Sequence, residues 1–281
     1  MRPSPLARAL LLAGAVGVVL WSAFPFAWYL LVSLTTPGHI PRRFEIPDVL
    51  TLRTYGAVIF GGDFVEIGAK FSIVPNILSS FLVAATTVTL CVGMSFGAAY
   101  AFSRVRVRGL AVAFNALLLI RMTPAVSLAV PIFLMMSGYG LLDTHLGLSL
   151  VHTLLSLPLA IWLMKGFMDT IPVELEEAAR IDGATLLQIL RHVIAPLAAP
   201  GVAVTACFVF LASYIEFMFA LILSRGAVST LPLAIAAYNS EHQTFYNEMA
   251  AASFISMIPL AIFFAFAGRY IVGGLTMGAL K

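Results

Sequence analysis

Two charged side chains sit alone inside long apolar runs, and they are the first residues whose chemistry needs a reason. Arg121 is the one charge in residues 110–136, and Glu216 is the one charge in residues 197–223. A lone charge at the depth of a bilayer costs at least ~2.5 kcal/mol, so each must face a protein interior, a polar pathway or the other charge. A gating ion pair and a contact to a transported solute both fit, and Tyr214 stands beside Glu216 on the same run. The remaining chemical side chains form no set. Cys91 and Cys207 lie in apolar runs and read as small buried hydrophobes. His39, His145, His152, His192 and His242 lack metal-ligand spacing, and no nucleophile, base and orienter come together. The 281 residues contain no Gly-Lys pair, hence no phosphate-binding loop of the Walker type.

The elements that carry these residues follow from composition. The chain is 61% hydrophobic and only 10% charged, far more apolar than a water-soluble domain tolerates. A hydrocarbon layer accepts ~20 apolar residues as a helix that satisfies its own backbone. Six runs meet that requirement: residues 10–34, 77–102, 110–136, 146–164, 197–223 and 249–268, the fourth being the shortest. The first, with Trp21, Trp28 and Tyr29 suited to interfacial anchoring, reads as a retained helix and not a cleaved signal. The expected fold is therefore all-α and integral to the membrane, with six transmembrane helices and both termini on one side.

Basic residues choose the side. With the termini cytoplasmic, the inside receives Arg2, Arg8, Arg104, Arg106, Arg108, Lys165, Arg180, Arg191, Arg269 and Lys281. Only Arg42, Arg43, Arg53, Lys70 and Arg225 fall outside, so ten against five favours that orientation. The pI near 9.0 follows from this bias and gives no ground for nucleic-acid binding.

The loops are unequal. Residues 36–75 form an external segment of mixed charge (Glu45, Asp48, Asp63 and Glu66 against Arg42, Arg43, Arg53 and Lys70), and residues 224–248 form an external loop long enough to touch a soluble partner. Inside, residues 169–196 read as two short helices. Thr170 and Pro172 start the first, Glu174, Glu176 and Glu177 suit the positive end of its dipole, and Gly183 ends it. Leu186, Leu187, Ile189, Leu190, Val193 and Ile194 then recur at helical spacing until Pro196 is expected to stop the second.

Within that loop, Glu177-Ala178-Ala179, three residues, Gly183, nine residues, Val193, one residue and Ala195-Pro196 resemble the EAA loop of ATP-binding-cassette importer permeases. Val and Ala stand where that family has Ile and Leu. Ile181-Asp182-Gly183-Ala184, Thr230-Leu231-Pro232 and the tail from Gly274 to Lys281 resemble the carbohydrate branch, the maltose-type inner permease subunits. The likeness runs from about Pro75 to the C-terminus. Where the family often carries Trp-Asn-Glu, this chain has Tyr214-Ile215-Glu216, so only the acidic position carries over.

The resemblance implies a MetI-like permease fold in a bacterial or archaeal inner membrane. Residues 1–75 would hold the first helix and external loop, 76–272 a five-helix core containing the loop 169–196, and 273–281 a cytoplasmic tail. Glu177, Ala178, Ala179 and Gly183 would form the coupling element that docks on an ATPase. Leu231 and Pro232 would meet an external solute-binding protein, and Arg121, Tyr214 and Glu216 would line or gate the pathway. The implied partners are two ATPase subunits, a second permease subunit and the solute-binding protein. The chain would hold no cofactor, ATP and Mg belonging to the ATPase, and would be no enzyme. The implied cargo is a sugar, oligosaccharide or polyol. The competing reading is an ion-coupled secondary transporter using Arg121 and Glu216, against which stand the docking loop and the absence of an inverted repeat.

Overall fold

The computed structural model describes residues 4–36, 49–61, 71–239 and 244–278. His39, His242, the external charges Arg42, Arg43, Glu45, Asp48, Asp63, Glu66 and Lys70, and the last three residues lie outside the described residues.

Every regular element among the described residues is helical, apart from a single bridge between Asn239 and Thr244. Among the described residues, four helices are long and apolar enough to cross a membrane: Leu6–Ser33, Val74–Arg104, His145–Met168 and Tyr246–Ala265. Two further pairs qualify only as bent spans, Leu110–Ile120 with Ala125–Gly138 at 96° and Leu186–Leu197 with Ala199–Tyr214 at 74°. The chain divides into two compact units.

One unit comprises Met1–Pro75 and Ala234–Met257. It contains helix α1 (Pro5–Ser33), the short α2 (Arg53–Phe60) and the start of the last helix. Ser4 caps α1 by accepting from the Ala7 amide at 3.3 Å. Buried polar groups tie the segments together. The Ser33 and Tyr55 hydroxyls meet at 2.7 Å, Thr54 donates to the Thr35 carbonyl at 2.9 Å, and Asn247 donates to the Thr36 carbonyl at 2.9 Å. Phe71 stacks on Tyr238 with centroids 4.8 Å apart.

The other unit, Asn76–Leu233 with Ile258–Lys281, positions the candidate residues. Its helices are α3 (Val74–Arg104), α4 (Leu110–Ile120), α5 (Ala125–Gly138), α6 (His145–Met168), α7 (Glu174–Ile181), α8 (Leu186–Ile189), α9 (Ala195–Leu197), α10 (Ala199–Tyr214), α11 (Met218–Leu223), α12 (Leu231–Ala236) and the end of α13 (Tyr246–Gly278). The fourth apolar run, shortest in the sequence, becomes the 24-residue α6, and 44% of its span is buried against 28% for α3. It is thus more deeply packed than α3, and it is capped by Thr144, which accepts from the Gly147 amide at 3.0 Å. Gly201 sets how close α10 comes to α6: a Cβ there would meet Phe167 Cγ at 2.5 Å.

Three sequence expectations change. The third run is not one helix, because residues 121–124 break it and Pro124 supplies no amide to continue the ladder. The fifth breaks at residues 215–217, between α10 and α11. Pro196 does not stop the second loop helix. It sits at the first turn of α9, where proline is tolerated, after a π-helical turn over Leu190–Ile194, and the turn to α10 comes at Ala198. The last helix continues to Gly278.

Candidate functional site

The loop between α6 and α10 is built from local signals. Glu174, Glu176 and Glu177 occupy the first turn of α7, and Arg180 its last, each charge favourable to the helix dipole. Gly183 follows at φ 81°, a left-handed conformation natural to glycine, and its own amide bonds to the Arg180 carbonyl. Thr185 and Gln188 then form a reciprocal capping box that starts α8.

Glu176 fixes this loop to α3. Its carboxylate is 1% exposed and accepts from Arg104 Nε at 2.5 Å and from the Tyr100 hydroxyl at 2.8 Å. Arg104 Nη2 donates to the Ile171 carbonyl at 2.7 Å, so one guanidinium holds both the entry to the loop and its first helix. Beside it, Asp169 accepts from Ser103 and from Lys165, both at 2.6 Å. Beneath these charges, Ala99, Met164, Met168, Ile171, Ile189 and Ile194 form an apolar cluster against which Ala179 and Ala184 pack. The outer side is different. Glu177, Ala178 and Gly183 are exposed, and Ile181, Leu186 and Leu187 project with 87%, 54% and 74% of their surface free.

A second polar cluster lies at the helix breaks. His152 of α6, 1% exposed, meets Ser213 Oγ at 2.7 Å through Nδ1 and Glu216 Oε2 at 3.2 Å through Nε2. An ionised carboxylate only accepts, so His152 Nε2 donates in that contact. Ser213 continues to Thr87 of α3 at 3.4 Å. Glu216 also accepts the Phe219 amide at 2.9 Å and the Ala220 amide at 3.2 Å, satisfying the first donors of α11. A cavity of about 150 Å³ adjoins the cluster, and Arg121, His152, Ser156 and Glu216 line it.

Just before α6, Asp143 ties two loops. It adopts φ 56° and accepts the Ala227 and Val228 amides at 2.8 Å each. Desolvation raises its pKa, but the Arg225, Val228, Ala227 and Gly226 amides together outweigh this and hold the carboxyl below its ordinary value.

Residues 90–276 match the family of binding-protein-dependent transport system inner membrane components. The chain belongs to that family. The trehalose/maltose transport system permease protein MalG of Thermococcus litoralis is 34% identical over 284 residues, covering 100% of this chain and 99% of its own. The trehalose transport system permease protein SugB of Mycobacterium tuberculosis is 36% identical, with 94% of each chain covered. The fold agrees with a chain of a bacterial ABC transporter involved in the import of the acidic polysaccharide alginate, at a TM-score of 0.74, 22% identity and coverage of 96% of this chain and 99% of that one. The permease fold expected from the loop resemblance is thus the fold observed, in a multi-pass inner-membrane protein, and ATP hydrolysis in such importers is the work of a separate subunit.

The structure groups the sequence candidates unevenly. Glu177, Ala178, Ala179 and Gly183 share one loop, but its anchor in this permease is Glu176, which the sequence offered only as a helix-dipole charge. Arg121 and Glu216 line one cavity with no salt bridge between them among the described residues, and the carboxylate of Glu216 is bound by His152 instead. Tyr214 is 4% exposed, stacks on Phe210 at 5.5 Å and does not line the cavity. Leu231 is 1% exposed, and its amide donates to Ser80 Oγ at 2.7 Å, so its side chain is turned inward while Pro232 is half-buried. His152 escaped the sequence reading. Its signal was the polar face of Ser149, His152, Thr153 and Ser156 at helical spacing on an otherwise apolar run.

Proposed function

We propose that this permease moves a sugar, oligosaccharide or polyol inward in a complex with two ATPase subunits, a second permease subunit and an external solute-binding protein. The cargo class rests on the relatives at 34% and 36% identity, which are permeases of trehalose and maltose systems. Both termini and the loop 169–196 face the cytoplasm in this reading, as the basic-residue bias requires. ATP and Mg are held by the ATPase, and this chain holds no cofactor.

The observation that carries the mechanism is the two-sidedness of the loop. Its inner side is fixed by Glu176, Arg104 and the apolar cluster, while Ile181, Leu186 and Leu187 stand free beside Glu177 and Ala178. Apolar side chains exposed outside the bilayer mark a surface that a protein partner covers. The ATPase is the partner with cytoplasmic access, and its closure on nucleotide would push on α7 and α8. The push reaches α3 through the Arg104–Glu176 pair and α10 through the turn at Ala198. Arg121 and Glu216 line or gate the path that opens, and Tyr214 supports Glu216 from within the packed helix. At the external face, Pro232 and the loop 224–248 meet the solute-binding protein, and Leu231 anchors them.

The test is uptake by proteoliposomes carrying the assembled complex with labelled trehalose and maltose. Uptake should require ATP, the ATPase subunits and the binding protein. Uptake driven by a proton or sodium gradient without the ATPase would overturn the reading.

A further inference from the structure

We propose that the cavity at the helix breaks is a subsite for one uncharged, hydroxylated six-membered ring, so that this permease touches its cargo directly. The proposal rests on the sugar-importer reading and names the place where the sugar is read.

Size comes first. A cavity of about 150 Å³ is the volume that encloses one six-membered ring, or about five waters at ~30 Å³ each. Its lining is split in the way a pyranose needs. Arg121, His152, Ser156 and Glu216 supply donors and acceptors, and Leu155 and Phe208 supply apolar surface for the ring's C–H faces. Few convergent polar groups on a mostly apolar wall are the general form of a small-molecule site.

Charge then narrows the ligand. Arg121 contributes one positive charge and Glu216 one negative charge to the lining. With one charge of each sign from these two side chains, the lining gives a charged ligand no net attraction, so an uncharged one suits it best. Their hydrogen-bonding capacity is also unequal. Glu216 already accepts from two backbone amides and His152, whereas the Arg121 side chain makes no hydrogen bond or ion pair among the described residues. A guanidinium with five free donors at membrane depth requires acceptors, and ring hydroxyls provide them.

The backbone gives independent support. The spans carrying Arg121 and Glu216 are both interrupted at these residues, the third by a 96° bend between α4 and α5. Irregular backbone at membrane depth is tolerated where it is buried in protein or lines a polar cavity, and broken helices build the solute sites of transporters for that reason.

The test uses the full reconstituted complex and whichever of labelled trehalose or maltose the wild type imports. Cys91 and Cys207 are replaced by Ala, and Ala212, which lines the cavity and is exposed to it, is replaced by Cys. Under turnover, the imported saccharide at a concentration that saturates uptake should slow labelling of Ala212→Cys by a small methanethiosulfonate severalfold. Glycerol or sodium chloride at equal osmolarity should not. In parallel, Ser156→Val should raise the KM for uptake. Labelling at the same rate with and without the imported saccharide, or a wild-type KM in Ser156→Val, overturns the subsite and leaves the importer reading standing. Import of neither saccharide by the wild type overturns both.

Discussion

Replacing Glu176 should disconnect the loop from the membrane helices without removing the loop's docking surface. Glu176→Ala leaves Arg104, whose side chain is 11% exposed, without its carboxylate partner and leaves the Tyr100 hydroxyl without an acceptor. Breaking a buried pair costs ~3–5 kcal/mol, and the residual exposure of Arg104 argues for the lower end, ~3 kcal/mol. That corresponds to roughly a hundredfold loss in the population with the loop seated on α3. Two assays read it. Amide exchange over residues 174–189 in the intact complex should accelerate, and solute moved per ATP hydrolysed should fall while ATPase activity persists. Arg104→Ala should behave alike, and the double variant should show a favourable interaction of roughly 2 kcal/mol in the cycle. Additive defects, or wild-type exchange and coupling in Glu176→Ala, would refute the claim that this pair transmits the movement.

The His152–Glu216 contact should appear as non-additivity. His152→Ala and Glu216→Gln should each lower the Tm of the complex, with the double variant recovering about 1 kcal/mol of the summed loss. Gly201→Ala should destabilise by ~1–3 kcal/mol because its Cβ would meet Phe167 at 2.5 Å, while Gly166→Ala, where nothing lies within 4 Å, should be near neutral by thermal unfolding. Asp143 gives a pH dependence whose sign is fixed by its depressed pKa: the charged form is the one the loops hold, so its stabilisation is present above the ordinary carboxylate range and fades as pH falls through the lower folded value. Asn tolerates the same positive φ, so the Tm gap between wild type and Asp143→Asn should shrink on acidification, and a gap that widens would contradict this. Labelling of single cysteines at Arg106 and Arg180 should occur from the cytoplasm, and at Asp63 and Glu241 from outside, the last two lying outside the described residues. An external Arg180 would contradict the proposed orientation.

The six apolar runs were legible because hydropathy survives averaging over twenty residues. The breaks were not, for the same reason. Met122 and Thr123 barely lower the mean hydropathy of the third run, and only Thr123-Pro124, where the residue before proline avoids helix, marked the 96° bend. The loop 169–196 was readable to the residue at Gly183, whose φ of 81° matches the break expected there, because a glycine between two amphipathic segments is a local signal. Partnerships were hidden because they join distant positions. Glu176 reaches Arg104 across 72 positions and His152 reaches Glu216 across 64, and nothing in either local pattern specifies the other. The pairing weighed for Arg121 and Glu216 rested on depth alone, and His152, closer to Glu216 in the fold, took that place.

Uptake and ATP hydrolysis measured together in one proteoliposome preparation test the central claim, that the loop 169–196 couples a separate ATPase to this permease. Glu177→Lys reverses an exposed charge on α7, and Gly183→Pro replaces a residue at φ 81° with one fixed near −65°. Both variants should insert and assemble, and ATP should still be hydrolysed while uptake falls to the background of vesicles lacking the binding protein. Wild-type uptake in both variants would contradict the account.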